Sequence, residues 1–141
     1  MNGGDSTPLQ PIRVVNIEHA FEAVDRLWTP HVIGELNGQH VRIARVQGVF
    51  DWHQHAHEDE LFLVISGRLT IELKPPHEMV QLDPGELVVI PRGVEHRPIA
   101  EEECRILLFE PAQTINTGNV RNERTVDPRI APLPPTTSHP Q

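Results

Sequence analysis

Short apolar runs, each cut off by turn residues, constrain this 141-residue chain more than any other feature. His31–Leu36 and residues 39–46 flank Asn37-Gly38, a pair that supplies a tight hairpin turn. Residues 61–65, Leu-Phe-Leu-Val-Ile, are apolar throughout, too short for a typical helix, and closed by Ser66-Gly67. Leu69–Leu73 alternates apolar and polar side chains, as a half-buried strand does. Turns follow at Lys74-Pro75-Pro76-His77 and Asp83-Pro84-Gly85-Glu86. Residues 79–82 are a further short strand, and Leu87–Ile90 and residues 106–109 read as buried strands. One helix fits, from about residue 17 to 27, capped by Asn16 and ended by Pro30. Its apolar residues Ile17, Phe21, Val24 and Trp28 recur at helical spacing. Strands without alternating helices predict an all-β sandwich or barrel and not a doubly wound sheet.

A chain of this length supports one core. Residues 1–11 are expected to form a disordered leader, 12–120 a single domain, and 121–141 an extended proline-rich tail. The formal net charge is −8. That argues against a nucleic-acid surface and against anionic lipid as partners. No apolar run approaches the ~18–20 residues of a membrane span. The N-terminus lacks the basic and apolar regions of a signal peptide. The single cysteine, Cys104, excludes an internal disulfide and fits a reducing compartment, so a cytoplasmic location is expected. Cys104 itself, beside Glu101-Glu102-Glu103, is expected to be buried and inert.

The chain carries nine histidines and no tyrosine. Three of them lie in Trp52-His53-Gln54-His55-Ala56-His57-Glu58-Asp59-Glu60. On a strand, His53 and His55 share a face, because side chains alternate with period two. His57 has the same parity. Glu60 opens the next apolar run, so its carboxylate can face the same cavity. Downstream, Gly85 leads through a strand to Pro91-Arg92-Gly93, and His96 follows that turn. Three His and one Glu, with positions left for water or substrate, suit a divalent transition metal.

The two segments resemble the paired motifs of the cupin superfamily. His53-x-His55, Glu60 after four residues and Gly67 after six more match the first motif, with Gly48 one residue closer than usual. Gly85, Pro91, Gly93 and His96 match the second, with Ala100 where Asn is usual. Trp52, the Asp59-Glu60 pair and Asn116-Thr117-Gly118 are similar to small bacterial single-domain cupins described as mannose-6-phosphate isomerase-like. Pairing His55 with His57 instead would leave Glu60 too close for the motif. Whether His57 replaces or supplements His53 stays open at this point.

The resemblance implies a double-stranded β-helix (jelly-roll) barrel behind a short N-terminal helix. It implies one divalent metal (Fe, Mn, Ni, Zn, Co or Cu) held by His53, His55, Glu60 and His96, and a homodimer covering Leu61, Leu63 and Ile65. It also implies a small-molecule ligand or substrate. Phe62 and Val64, in parity with Glu60, are expected to wall the substrate pocket, with His57 at its mouth. Phe50 and Trp52 are expected to fill the barrel. Arg45, Gln47 and Arg68 read as solvated strand residues, and Asp59 as a turn residue or an orienter of a ligand histidine. The implied activity is an isomerase, lyase or dioxygenase; a binding module with a structural or ligand-capturing metal is the alternative.

Overall fold

The computed structural model describes residues 11–127. Its one helix, α1 (Ile17–Glu22), is shorter than the apolar spacing predicts. The Asn16 side chain accepts from the His19 N–H, and the chain turns out at Ala23, where the Ala23 N–H bonds to the Ala20 carbonyl and the Val24 N–H to the Phe21 carbonyl. Trp28 lies outside the helix in a left-handed conformation, φ 62°. Ala20, Phe21 and Val24 are buried against Ile43, with Ile33 and Ile65 alongside. Burying Phe21 contributes about 1.5–3 kcal/mol, more than so short a helix gains from its own hydrogen bonds.

The strands are β1 (His31–Leu36), β2 (Gln39–Val49), β3 (Glu60–Ser66), β4 (Leu69–Leu73), β5 (Val80–Leu82), β6 (Leu87–Ile90) and β7 (His96–Pro111). Every pairing is antiparallel, in the order β1-β2-β7-β3-β6, with β4 joining β5 to β7. The long β7 is the spine: residues 96–99 pair with β4, residues 105–109 with β3, and β2 runs along most of its length. Register shifts between Val46 and Gly48 and between Val64 and Ser66 mark where β2 and β3 bend. This all-β, antiparallel jelly-roll encloses a core of Ala44, Val46, Phe62, Val64, Leu69, Ile71, Ile106 and Leu108.

Several sequence expectations change in detail. β6 is an edge strand, so Leu87 and Val89 face outward at 58% and 49% exposure and the strand is not buried on both faces. The 61–65 run alternates too: Phe62 and Val64 face the core, while Leu61, Leu63 and Ile65 are half-buried. Trp52 does not fill the barrel. It is half-buried, with Lys74 Nζ 4.0 Å above its ring and Arg97 on the same ring. Residues 121–127 stay docked: Asn122 donates to Asp51, and Val126 N donates to the Asn116 side chain. The expected leader and the end of the expected tail lie outside the described residues. No helix among the described residues is long and apolar enough to cross a membrane.

Gly67, in the turn between β3 and β4, has φ +83°, and a Cβ there would sit 2.7 Å from the Glu103 carbonyl oxygen. A left-handed backbone and a steric overlap with β7 both oppose any side chain. Gly67→Ala is expected to lower unfolding stability by about 2–4 kcal/mol, read from urea denaturation followed by fluorescence.

Candidate metal centre

His53 is joined to His96 across an antiparallel bridge: His53 N–H donates to the His96 carbonyl at 3.0 Å, and His96 N–H returns the bond at 2.9 Å. The 51–59 segment is otherwise irregular, not the continuous strand expected. Few residues are needed, because Phe50 N–H bonds to Pro98 and Gly93 N–H to the His55 carbonyl. These bonds lay the first histidine segment along the start of β7. Asp59 fastens the join from outside. Its carboxylate accepts from the Arg92 backbone N–H at 2.9 Å and from the Arg92 guanidinium. Asp59 therefore ties the two motif turns together and does not orient a histidine.

His53, His55, Glu60 and His96 all end up buried, each offering one ligand atom, and these atoms lie within 4.8 Å of one another. His55 Nε2 and His96 Nε2 each approach Glu60 Oε1 at 3.3 Å. Yet His55 Nε2, His96 Nε2 and Glu60 Oε1 make no well-directed hydrogen bond. Buried polar atoms that converge without partners are costly, and a cation among them would satisfy all of them. The tautomers agree. His53 Nδ1 faces the Asp51 carbonyl at 2.8 Å, and His96 Nδ1 faces the Val94 carbonyl at 2.9 Å. A carbonyl only accepts, so both Nδ1 atoms carry the proton and both Nε2 lone pairs are free for a metal.

Burial and the neighbouring charges set each donor's protonation in different directions. Burial, then the proximity of His96, pushes the His53 imidazolium down to about 4, so the ring is neutral at pH 7. Burial opposes a charge on His55, but the Glu60 carboxylate outweighs it and holds His55 above its ordinary value. Burial also opposes ionisation of Glu60; His55 and His96 overcome it and keep that carboxylate well below the usual range.

Behind Glu60 stands a group the sequence reading passes over. Glu110 is buried and lines the same cavity. Burial, then the Glu60 charge, pushes its carboxyl well above the ordinary value. Arg42 Nη1 donates to Glu110 Oε2 at 2.6 Å, and the remaining Arg42 donors go to His40 Nδ1 and to the Ala112 and Thr114 carbonyls. The apolar-run reading stops at Phe109, one residue short. The available signal is parity, since Ile106, Leu108 and Glu110 alternate onto one face of β7.

The cavity beside the four donors is walled by Trp28, Pro30, Phe50, Phe62, Pro98 and Leu108, among others. Phe62 is in that wall. Val64 is fully buried in the core and is not part of the lining. His57 is exposed and lies in a separate surface groove with Asp59, Leu61, Val89 and Arg92. The open choice over His57 resolves: the structure gathers His53 with the other three donors and places His57 outside, because the chain turns at Ala56. Arg45 and Arg68 pair with Glu103 and Asp83 instead of entering the cavity. Cys104 is buried and its thiol is pushed up to about 11 by burial, consistent with an inert residue.

Residues 40–110 match the cupin domain family model. A curated Bacillus subtilis protein, the uncharacterized YdbB, is 42% identical over 65 residues, which is 46% of this chain and 57% of that protein. The chain thus matches little more than half the length of that relative. A cupin-2 domain protein from Shewanella frigidimarina is 42% identical, with a TM-score of 0.67 over 70% of this chain and 94% of its own. A hydroquinone 1,2-dioxygenase from a Sphingomonas species, solved with 4-hydroxybenzoate bound, shares the fold. Its identity is 17% and its TM-score 0.58, over 77% of this chain and 83% of that one.

Asn119 N–H donates to the Gln54 carbonyl, and the Asn119 side chain accepts from Gln54 N–H. The late segment thereby clamps the residue between the first two histidines. A Cβ on Gly118 would overlap the Gln54 carbonyl and press on the His53 ring at 3.1 Å. Gly118→Ala is expected to weaken divalent-metal affinity about 10–100-fold, as misplaced outer groups do. Competition with a chromophoric chelator measures it; unchanged affinity would mean the clamp does not position His53.

Proposed function

The chain belongs to the cupin domain family, and from that premise we propose that it is a small-molecule metalloenzyme. His53, His55, Glu60 and His96 would hold one divalent transition metal. The observation that carries this reading is the convergence of four buried donors, three of whose atoms lack a hydrogen-bond partner. A three-His, one-carboxylate set is compatible with several first-row metals. Bound there, the metal would supply Lewis-acid polarisation of a substrate oxygen, or oxygen chemistry if it is iron.

The protein's own groups supply the rest. The Asp51 and Val94 carbonyls fix the rings of His53 and His96. Glu110, pinned by Arg42, backs the Glu60 carboxylate. Trp28, Phe50 and Phe62 exclude water from one side of the cavity. The reaction class is an isomerisation, lyase step or dioxygenation, matched to the metal found.

Elemental analysis of the purified protein is expected to find about one equivalent of metal per chain, with His96→Ala losing most of it. Iron directs the search to oxygen uptake, and zinc, nickel or manganese to isomerase and lyase assays. Native protein that stays metal-free after reconstitution overturns the metalloenzyme reading. Saturable ligand binding without turnover would favour the binding-module alternative.

We also propose a homodimer. Part of the face expected to be covered is already taken by α1, which packs on Ile65. What is left is the edge at β6, where exposed Val89 and half-buried Leu61 and Phe109 line a groove. Sedimentation equilibrium is expected to give twice the chain mass, and Val89→Glu to shift it toward the monomer.

A further inference from the structure

We infer that the cavity selects a ligand with one polar head and an uncharged, apolar body, and excludes ligands whose body carries a second charge. This rests on the reading above that the cavity receives a small molecule, and it narrows which one.

The polar lining is confined to one place. His53 and Glu60 belong to the donor set, and Glu110 lies against Glu60. Every other polar group of the wall is already engaged. The Asn116 amide donates to the Arg124 carbonyl at 2.7 Å and accepts from Val126 N–H at 2.9 Å. The Trp28 indole N–H donates to the Gln47 carbonyl at 2.9 Å. The rest is hydrocarbon and ring face: Pro30, Ala44, Val46, Phe50, Phe62 and Leu108 are representative.

No Lys or Arg is among the described lining residues. The nearby buried cation, Arg42, spends its donors on Glu110, His40 and two backbone carbonyls, so it offers nothing to an incoming anion. A second carboxylate or a phosphate on the ligand would therefore be desolvated without a partner, at a cost far above that of a bare methylene. The hydroxyls of a polyol would face the same walls and would also go unpaired. An apolar body instead gains from the aromatic wall, where Trp28 and Phe50 stack with ring centres 4.7 Å apart.

Size adds a limit. The cavity is open on one side and its volume is about 40 Å³, against about 150 Å³ for a cavity that takes benzene. That volume takes the polar head, and the body of the ligand lies against the open apolar walls. Trp28, half-buried and part of the lining, is the ring that such a body would meet.

Two matched pairs test this on zinc-loaded protein carrying Trp52→Phe, which leaves Trp28 as the sole indole. Each pair shares a head and differs in a distal carboxylate: catechol against 3,4-dihydroxybenzoate, and 2-oxopentanoate against 2-oxoglutarate. Titrations are followed by NMR at the Trp28 indole N–H. The uncharged-body member of each pair is expected to bind at least tenfold more tightly while shifting that resonance. Equal or reversed preference overturns the inference, as does binding that leaves Trp28 unmoved or no binding by any of the four. Zinc content is measured first. Protein that holds no zinc counts against the metal centre instead, and the same titrations then decide the selectivity of the walls on the metal-free protein.

Discussion

The two backbone hydrogen bonds between His53 and His96 hold the whole site together. They join the segment leading into β3 to the first residue of β7, and each carries a histidine whose Nε2 is turned inward. Without that join, His53 and His55 would sit on a loop with its own freedom, and three nitrogens would not share one point. The fold makes the join cheap. β7 is already fixed by pairing with β2, β3 and β4, so the loop gives up its entropy against a rigid edge and needs only a few bonds to stay there. Asp59 and Arg92 add an outer fastening at exposed positions, where an ion pair alone is worth little; the backbone bond at 2.9 Å contributes the direction.

Concentrating four donors in a dry site creates a conflict that the rest of the interior answers. Glu60 is kept ionised by His55 and His96, and its charge bears directly on Glu110. Like carboxylates side by side do not both ionise in such surroundings. Glu110 is therefore the carboxyl pushed upward and Glu60 the one held low. Arg42 does not cancel this order, because its charge is shared among Glu110, the ring of His40 and two carbonyls. Binding a cation to donors arranged this way also stabilises the folded chain, since the unfolded chain offers no such site.

Much of this was legible in the residues. The turn chemistry at Asn37-Gly38 and the alternation in Leu69–Leu73 place β1, β2 and β4 correctly, because local rules and tertiary packing agree there. The resemblance to the paired family motifs points to His53, His55, Glu60 and His96, which the fold brings together. The misreadings share a cause. Parity treats an irregular segment as if it were a strand, so His57 is grouped with His53 and His55 when the chain turns it out; Trp52 is read as barrel filling from its apolar ring, yet that ring lies half-buried beneath Lys74. The apolar run at 106–109 shows a hydrophobic stretch but not that it is the middle of a sixteen-residue strand. Burial of β6 fails because edge position depends on pairing partners far away in sequence. The helix ends early because its apolar face, not its propensity, holds it, and that face is spent once Phe21 and Val24 reach Ile43.

Arg42 is the one Lys or Arg buried among the described residues, and its position links two things the sequence keeps apart. One side of its guanidinium pins Glu110 behind the donor set. The other side holds the Ala112 and Thr114 carbonyls, where the chain leaves β7 for the segment that ends at Gly118 and Asn119. That segment is the one that clamps Gln54 between His53 and His55. The carboxylate side of the site and its histidine side are therefore secured from opposite ends of the same short stretch of chain. A displacement of residues 112–119 would loosen both at once. The strength of a buried, fully satisfied network lies in this coupling more than in any net gain from its ion pair, which desolvation largely offsets. The site is better understood as the meeting point of β2, β7 and the chain that follows β7 than as two motifs.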